Sequence, residues 1–146
     1  LFMAYSHVGH DCVIGDDCIL ANQATLAGHV TLGNFAILGG LSAIHQFCHM
    51  GEHAMAGGGS IITKDVPAYV IVNGNPAQTH GLNLVGLKRR GFERDALRAL
   101  GDAYRIVYRQ GLTMEQAIER LENDFAVPEV ETFLASLKTS QRGITR

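Results

Sequence analysis

The sequence predicts a parallel β-helix of triangular coils followed by a carboxyl-terminal helical domain. Three observations carry this: an apolar residue at every sixth position from Val8 to Ile62, a small residue two places before each, and helical spacing after Gly81. The apolar series is Val8, Ile14, Leu20, Leu26, Leu32, Leu38, Ile44, Met50, Ala56 and Ile62. A period of six fits neither a helix nor a simple hairpin array. It suits short flat faces, three to a coil, so that residues 18 apart stack at the strand spacing of about 4.8 Å.

Within a hexad the large aliphatic is expected to fill the interior. The small residue (Ser6, Cys12, Cys18, Ala24 and their successors) fits the tight inner position, and the glycine common after the aliphatic relaxes the turn backbone. All three cysteines, Cys12, Cys18 and Cys48, take the small inward position and read as packing residues, because a reactive thiolate needs an exposed, electropositive setting. Their odd number and spacing match neither a disulfide framework nor a zinc knuckle. Ten hexads make about three coils, and a chain that opens in mid-pattern is expected to be a piece of a longer β-helix, since solenoid ends need caps.

The two domains are expected at 1–80 and 81–146. In DVPAYVIVNGNPA, residues 65–77, Pro67, Pro76 and an Asn-Gly step are expected to interrupt strand pairing. Ala96, Leu97, Leu100, Tyr104, Val107 and Tyr108 then form a helical stripe, with Gly111 as a stop signal. Thr113 opens TMEQ, a capping box, and Pro128 occupies a first-turn position of a last helix.

Hydrophobic residues make up 47% of the 146 and charged ones 18%, the balance of a globular chain and not of a disordered one. No apolar run approaches the roughly 18 residues of a membrane span, and the first ten residues lack the pattern of a signal peptide, so a cytoplasmic location is expected. Charge is uneven. Residues 1–66 hold one base and five acids, whereas seven of the twelve bases fall between Lys88 and Arg109 with three acids among them. That basic segment suits an acidic partner, of which nucleic acid is only one kind.

The 18-residue step turns spacing into a site. His10, Gly28 and Gln46 fall in one column, and Asp11 lies beneath His29 in the next. A histidine of ordinary pKa, about 6.5, is largely neutral at pH 7 and accepts a proton. A neighbouring aspartate holds the ring in one tautomer, and a glycine offers its N–H to a developing oxyanion. The alternatives are a solvated turn histidine at position 10 and zinc bound through His45, His49 and His53 across a subunit interface. Those three occupy different hexad positions and share no face, and no metal site is assigned.

SHVGHDCVIGDDCILANQATLAGHVTLGNFAILGGLSAIHQFC, KDVPAYVIVNGNPA and GLNLVGLKRRGF resemble the acyl carrier protein-dependent UDP-N-acetylglucosamine O-acyltransferases of lipid A biosynthesis in Gram-negative bacteria. The resemblance runs to the closing RGITR and covers the carboxyl-terminal part of that family, whose further amino-terminal coils lie outside this sequence. It implies a homotrimer of left-handed β-helices with active sites between subunits. It also implies transfer of an (R)-3-hydroxyacyl chain, of the 3-hydroxymyristoyl type, from acyl carrier protein to the sugar 3-hydroxyl. No cofactor or covalent acyl-enzyme is implied, because the donor rides on the carrier's phosphopantetheine.

By the same resemblance His10 is the general base, Asp11 its orienting carboxylate and Gly28 the oxyanion donor. His7, His29 and Gln46 contact the sugar nucleotide, and His45 lies near the acyl and sugar region. Asn83, Arg89 and Arg90 match positions that bind nucleotide or phosphopantetheine, with Arg94, Arg98, Arg105 and Arg109 extending a carrier-docking surface. Gly58 measures acyl length by stacking over Gly40. Val85 replaces a glutamate that contacts the nucleotide in the best-known members. The competing readings are the sister N-acyltransferase acting on the glucosamine amine, a zinc-binding trimer, and a scaffold that uses the coil only for assembly.

Overall fold

Ten two-residue strands build the prism in the computed structural model, which describes residues 1–125 and 127–146. They are β1 (His7–Val8), β2 (Val13–Ile14), β3 (Ile19–Leu20), β4 (Thr25–Leu26), β5 (Thr31–Leu32), β6 (Ile37–Leu38), β7 (Ala43–Ile44), β8 (His49–Met50), β9 (Met55–Ala56) and β10 (Ile61–Ile62). Every pairing among them is parallel with a step of eighteen, as in His7 with Thr25 and Val8 with Leu26. One face therefore stacks β1, β4, β7 and β10, the second β2, β5 and β8, and the third β3, β6 and β9. The second residue of each strand points inward, and Leu20, Leu26, Leu32, Leu38, Ile44, Met50, Ala56 and Ile62 are essentially fully buried. Each large aliphatic contributes about 1.5–3 kcal/mol on burial, which is what commits the six-residue pattern to this shape.

The glycines after the aliphatics act differently from expectation. Gly9, Gly33 and Gly39 have no positive φ; instead, a Cβ there would sit 2.7, 2.6 and 2.6 Å from backbone atoms of the next coil. They let the coils approach. The left-handed backbone falls two residues later, on Asp11, Asp17, Gln23, His29, Phe35, Leu41, Phe47 and His53, with φ between 57 and 66°. Such a conformation costs a non-glycine residue roughly 1–2 kcal/mol. Here the coil over-determines it: the N–H of His29 donates to His10 O at 2.9 Å, that of Phe47 to Gly28 O at 3.1 Å, and that of His53 to Asn34 O at 2.9 Å.

The prolines do not end the pairing. Val66 bridges Met50, and β11 (Val70–Gly74) pairs in parallel with β9 through Ile71–Met55 and Val72–Ala56, a step of sixteen. The chain completes another coil that is two residues shorter. Pro67 falls between these pairings, where its missing N–H interrupts nothing, and Ala68 N–H beyond it donates to Ser136 Oγ at 3.0 Å. β12 (Ala77–Leu82) then returns antiparallel to β11 and terminates that face. The boundary expected at residue 80 therefore falls inside a strand, and the helical domain begins at Asn83.

Among the described residues four helices follow: α1 (Leu84–Arg89), α2 (Arg94–Tyr108), α3 (Met114–Asp124) and α4 (Pro128–Lys138). The Thr113–Gln116 capping box forms reciprocally, Pro128 stands in the first turn of α4, and Gly111 takes φ 65° after α2. The buried face of α2 is Leu100, Ala103, Ile106 and Val107, so the expected stripe is rotated: Ala96, Leu97, Tyr104 and Tyr108 flank it. Leu121, Val130, Phe133 and Leu137 complete this core. The last residues strap the domain to the prism, with Thr145 N–H donating to Asp65 O at 2.7 Å and Tyr108 Oη to Thr145 O at 3.0 Å.

Candidate functional site

Corner stacking brings the expected polar residues together on one edge of the prism. His10 Nδ1 lies 2.9 Å from Asp11 Oδ2, and the same carboxylate oxygen lies 3.7 Å from His29 Nε2. The two rings meet edge to face at 5.0 Å. Asp11 is presented to both histidines by its left-handed backbone, and the His10 hydrogen bond, followed by the charge of His29, holds its carboxyl below the usual carboxylate range. With Nδ1 directed at the carboxylate, Nε2 is the nitrogen available to take a proton.

Gly28 is required by contact. A Cβ there would lie 2.7 Å from both Cε1 and Nε2 of His10, so the imidazole rests where any other side chain would begin. Nε2 consequently sits beside the Gly28 backbone, which places a proton acceptor next to a backbone donor. His45 and Gln46 are exposed above this pair, followed by Phe47, whose ring stacks on His29 at 4.7 Å and 14°. His7 is exposed at the start of β1, on the face that runs into this corner.

The remaining expected residues lie elsewhere on the same chain. Gly58 stacks over Gly40, whose carbonyl oxygen would be 3.4 Å from a Cβ at 58. It stands on a different corner, because 48 residues from His10 is not a whole number of coils. Arg89 and Arg90 border a groove of about 490 Å³ walled by Ile37, Met55 and Ile71 on the third face and by Val85 on α1. Asn83 also borders it, but its side chain is 4% exposed and committed: Oδ1 accepts from Gly86 N–H and Nδ2 donates to His53 O at 3.1 Å. Asn83 thus shapes α1, the helix that carries Arg89. On α2, Arg94 and Arg98 are exposed, as is Arg109 at its carboxyl-terminal cap, while Arg105 pairs with Asp102.

Sequence reasoning missed a second corner. Phe35, His53 and Tyr69 stack in a column, with centroid separations of 4.7 and 5.7 Å, and Phe92 closes its side. Arg90 lies 5.3 Å over the Phe35 ring, with Nη1 3.1 Å from His53 Nδ1. The signal was present in the hexad position three beyond each aliphatic, where Phe35 and His53 stand 18 apart.

The thiols behave as packing groups. Burial raises the Cys18 thiol and, with Asp65 nearby, pushes Cys48 up to about 11; Cys12 Sγ donates to Ala27 O at 3.1 Å. His45, His49 and His53 do not converge, the first two being exposed and the third enclosed by aromatics. Among the described residues, only His10, Asp11 and His29 place three possible metal-ligand atoms within 4.8 Å of one another. No described helix is long and apolar enough to cross a membrane.

A family model for UDP-N-acetylglucosamine O-acyltransferase, domain 2, matches residues 65–145, and a bacterial transferase hexapeptide model of six repeats matches residues 1–28. The acyl-[acyl-carrier-protein]–UDP-N-acetylglucosamine O-acyltransferase of Pseudomonas entomophila strain L48 is 56% identical over the whole chain, which spans 57% of that relative. Its counterpart in Stutzerimonas stutzeri strain A1501 is 54% identical with the same coverage. Among solved structures, LpxA of Acinetobacter baumannii superposes with a TM-score of 0.94 at 44% identity, over 97% of this chain and 55% of that one. The UDP-N-acetylglucosamine O-acyltransferase of Moraxella catarrhalis gives 0.93 at 44% identity, over 99% and 56%.

Proposed function

The chain belongs to the UDP-N-acetylglucosamine O-acyltransferase family, and we propose that it forms the catalytic carboxyl-terminal part of an enzyme that acylates the 3-hydroxyl of UDP-N-acetylglucosamine from acyl carrier protein. The observation that carries this is the His10 imidazole held by Asp11 at 2.9 Å and seated directly against Gly28.

In this reading His10 Nε2 takes the proton of the sugar 3-hydroxyl as that oxygen attacks the thioester carbonyl. Asp11 stabilises the imidazolium through Nδ1–H, and the Gly28 N–H donates to the oxyanion. Collapse of the tetrahedral intermediate forms the ester, breaks the C–S bond and returns the proton from His10 to the departing phosphopantetheine thiolate. The exposed His10 corner leaves room for both substrates, and the reaction in this reading uses no cofactor and no protein nucleophile; the raised Cys18 and Cys48 thiols support the second point.

A homotrimer is part of the proposal. The His10 edge and the Arg89–Arg90 groove lie on separate parts of one chain, and a second copy set beside the first would bring them to a shared cleft. Val13 and Leu41, 63% and 65% exposed, and Phe47, 50% exposed, provide apolar surface for such contact. His7, His29, His45 and Gln46 would hold the sugar nucleotide, and Arg94 and Arg98 would face an acidic carrier protein. Gly58 over Gly40 would leave room for a long acyl chain of the 3-hydroxymyristoyl type. We place the protein in the cytoplasm, where carrier-bound acyl chains are made.

The test is turnover of UDP-N-acetylglucosamine with 3-hydroxymyristoyl carrier protein by the full-length enzyme, alongside the deacetylated 3-O-acyl nucleotide as rival acceptor. Product on the first acceptor alone supports the O-acyltransferase; product on the second alone replaces it with the sister N-acyltransferase. In the same assay Gly58→Met is expected to shift donor preference toward shorter chains, and an unchanged preference would remove Gly58 from the acyl site.

A further inference from the structure

We propose that His53 is a positioning residue, a neutral acceptor that aims the Arg90 guanidinium into the groove beside Ile37, Met55 and Ile71 without neutralising it. The inference rests on the proposed function only in taking Arg90 to meet a phosphate-bearing group of a substrate.

His53 stands behind the groove at 9% exposure, and Arg90 is half-buried at the end of α1. Arginine only donates, so the 3.1 Å contact between Nη1 and His53 Nδ1 requires a lone pair on Nδ1 and the proton on Nε2. A protonated ring would set two cations face to face. Burial and the Arg90 charge both oppose protonation, lowering the His53 pKa to about 4.

The ring has little freedom to turn away. Phe35 stacks on it at 4.7 Å and 6°, Tyr69 at 5.7 Å and 13°, and Phe92 meets it edge-on at 5.0 Å. Its backbone is fixed by its N–H on Asn34 O and by Asn83 Nδ2 on its carbonyl. The Phe35 face beneath the guanidinium completes the cradle.

Among the described residues Arg90 has no carboxylate partner, in contrast to Arg105 and Arg120, which pair with Asp102 and Asp124. A carboxylate would orient the fork and also cancel its charge. A neutral imidazole orients it while leaving the charge, and the donors beyond Nη1, for an incoming phosphate.

The test uses His53→Phe in the full-length enzyme. Phenylalanine already holds the left-handed backbone at Phe35 and Phe47, so this change keeps the stack and the fold while deleting the acceptor. KM, measured separately for UDP-N-acetylglucosamine and for acyl carrier protein, is expected to rise roughly tenfold for whichever substrate brings its phosphate to Arg90. The kcat should change less, the melting temperature should hold, and in an Arg90→Gln background His53→Phe should add nothing. Unchanged KM values, or effects of the two substitutions that multiply, overturn the proposal.

A nitrogen NMR readout separates this proposal from the functional one. His53 Nδ1 should carry a lone pair in the wild type and shift in Arg90→Gln, even if the wild type fails to acylate UDP-N-acetylglucosamine. A protonated Nδ1, or one indifferent to Arg90→Gln, also overturns it.

Discussion

Two corners of the prism use the same backbone and the same hexad position for opposite ends. At one, Asp11, His29 and Phe47 hold left-handed residues in the open, and the His10 ring lies free against Gly28. At the other, Phe35, His53 and Tyr69 hold the same conformation beneath Phe92 and Arg90. The backbone strain and the stacking step are shared, so the difference lies in what covers each corner. Solvent reaches the first imidazole, which can exchange protons. The second is sealed by aromatic rings and serves as a fixed acceptor.

The largest effect that would break this contrast is expected at His10. His10→Ala should lower kcat by on the order of 10³-fold while leaving assembly and melting temperature unchanged. Ordinary turnover in that variant would make the open corner as structural as the closed one. Gly28→Ala comes next, because its Cβ must push the ring from its seat; kcat/KM should fall about 10²-fold with the fold retained. Asp11→Asn should cost on the order of tenfold in kcat, less than in enclosed triads, since both partners are well exposed to water.

The smallest effect sharpens the closed corner. The folded-state pKa of His53 is about 4 against an ordinary 6.5, so below pH 6.5 the unfolded chain binds the proton first. His53 therefore contributes stability that is present above pH 6.5 and lost as pH falls toward 4. In His53→Phe the decline of melting temperature over that interval should be shallower. An identical slope in both proteins would mean that His53 takes up its proton in the fold as readily as in the unfolded chain.

The open corner was legible in the sequence because a strict period converts residue number into position. Once the coil is eighteen residues, His10 must meet Gly28 and Asp11 must meet His29. The closed corner needed more than the period. Phe35 and His53 are one coil apart, but Tyr69 follows a coil two residues shorter, and Phe92 and Arg90 arrive from the helical domain. No fixed spacing relates those partners.

The glycines after the aliphatics misled for a related reason. Their role is clearance from the next coil, as at Gly9 against Ala27, which only the stacked structure exposes. Asn83 likewise has a part that its position in the sequence does not announce: while bordering the groove, its side chain caps α1 and holds the His53 carbonyl.

The uniform step from Val8 to Ile62 also governs how this protein can change in length. One inserted residue that stays in the coil path would turn buried leucines to the surface in every later strand, whereas a complete coil could be added or lost with each column intact. The sixteen-residue closing coil stands where the prism gives way to the β11–β12 hairpin and little remains to be kept in phase. Insertions that keep the columns in phase are therefore whole turns of the prism, loops that bulge outward at its corners, or additions at its helical end.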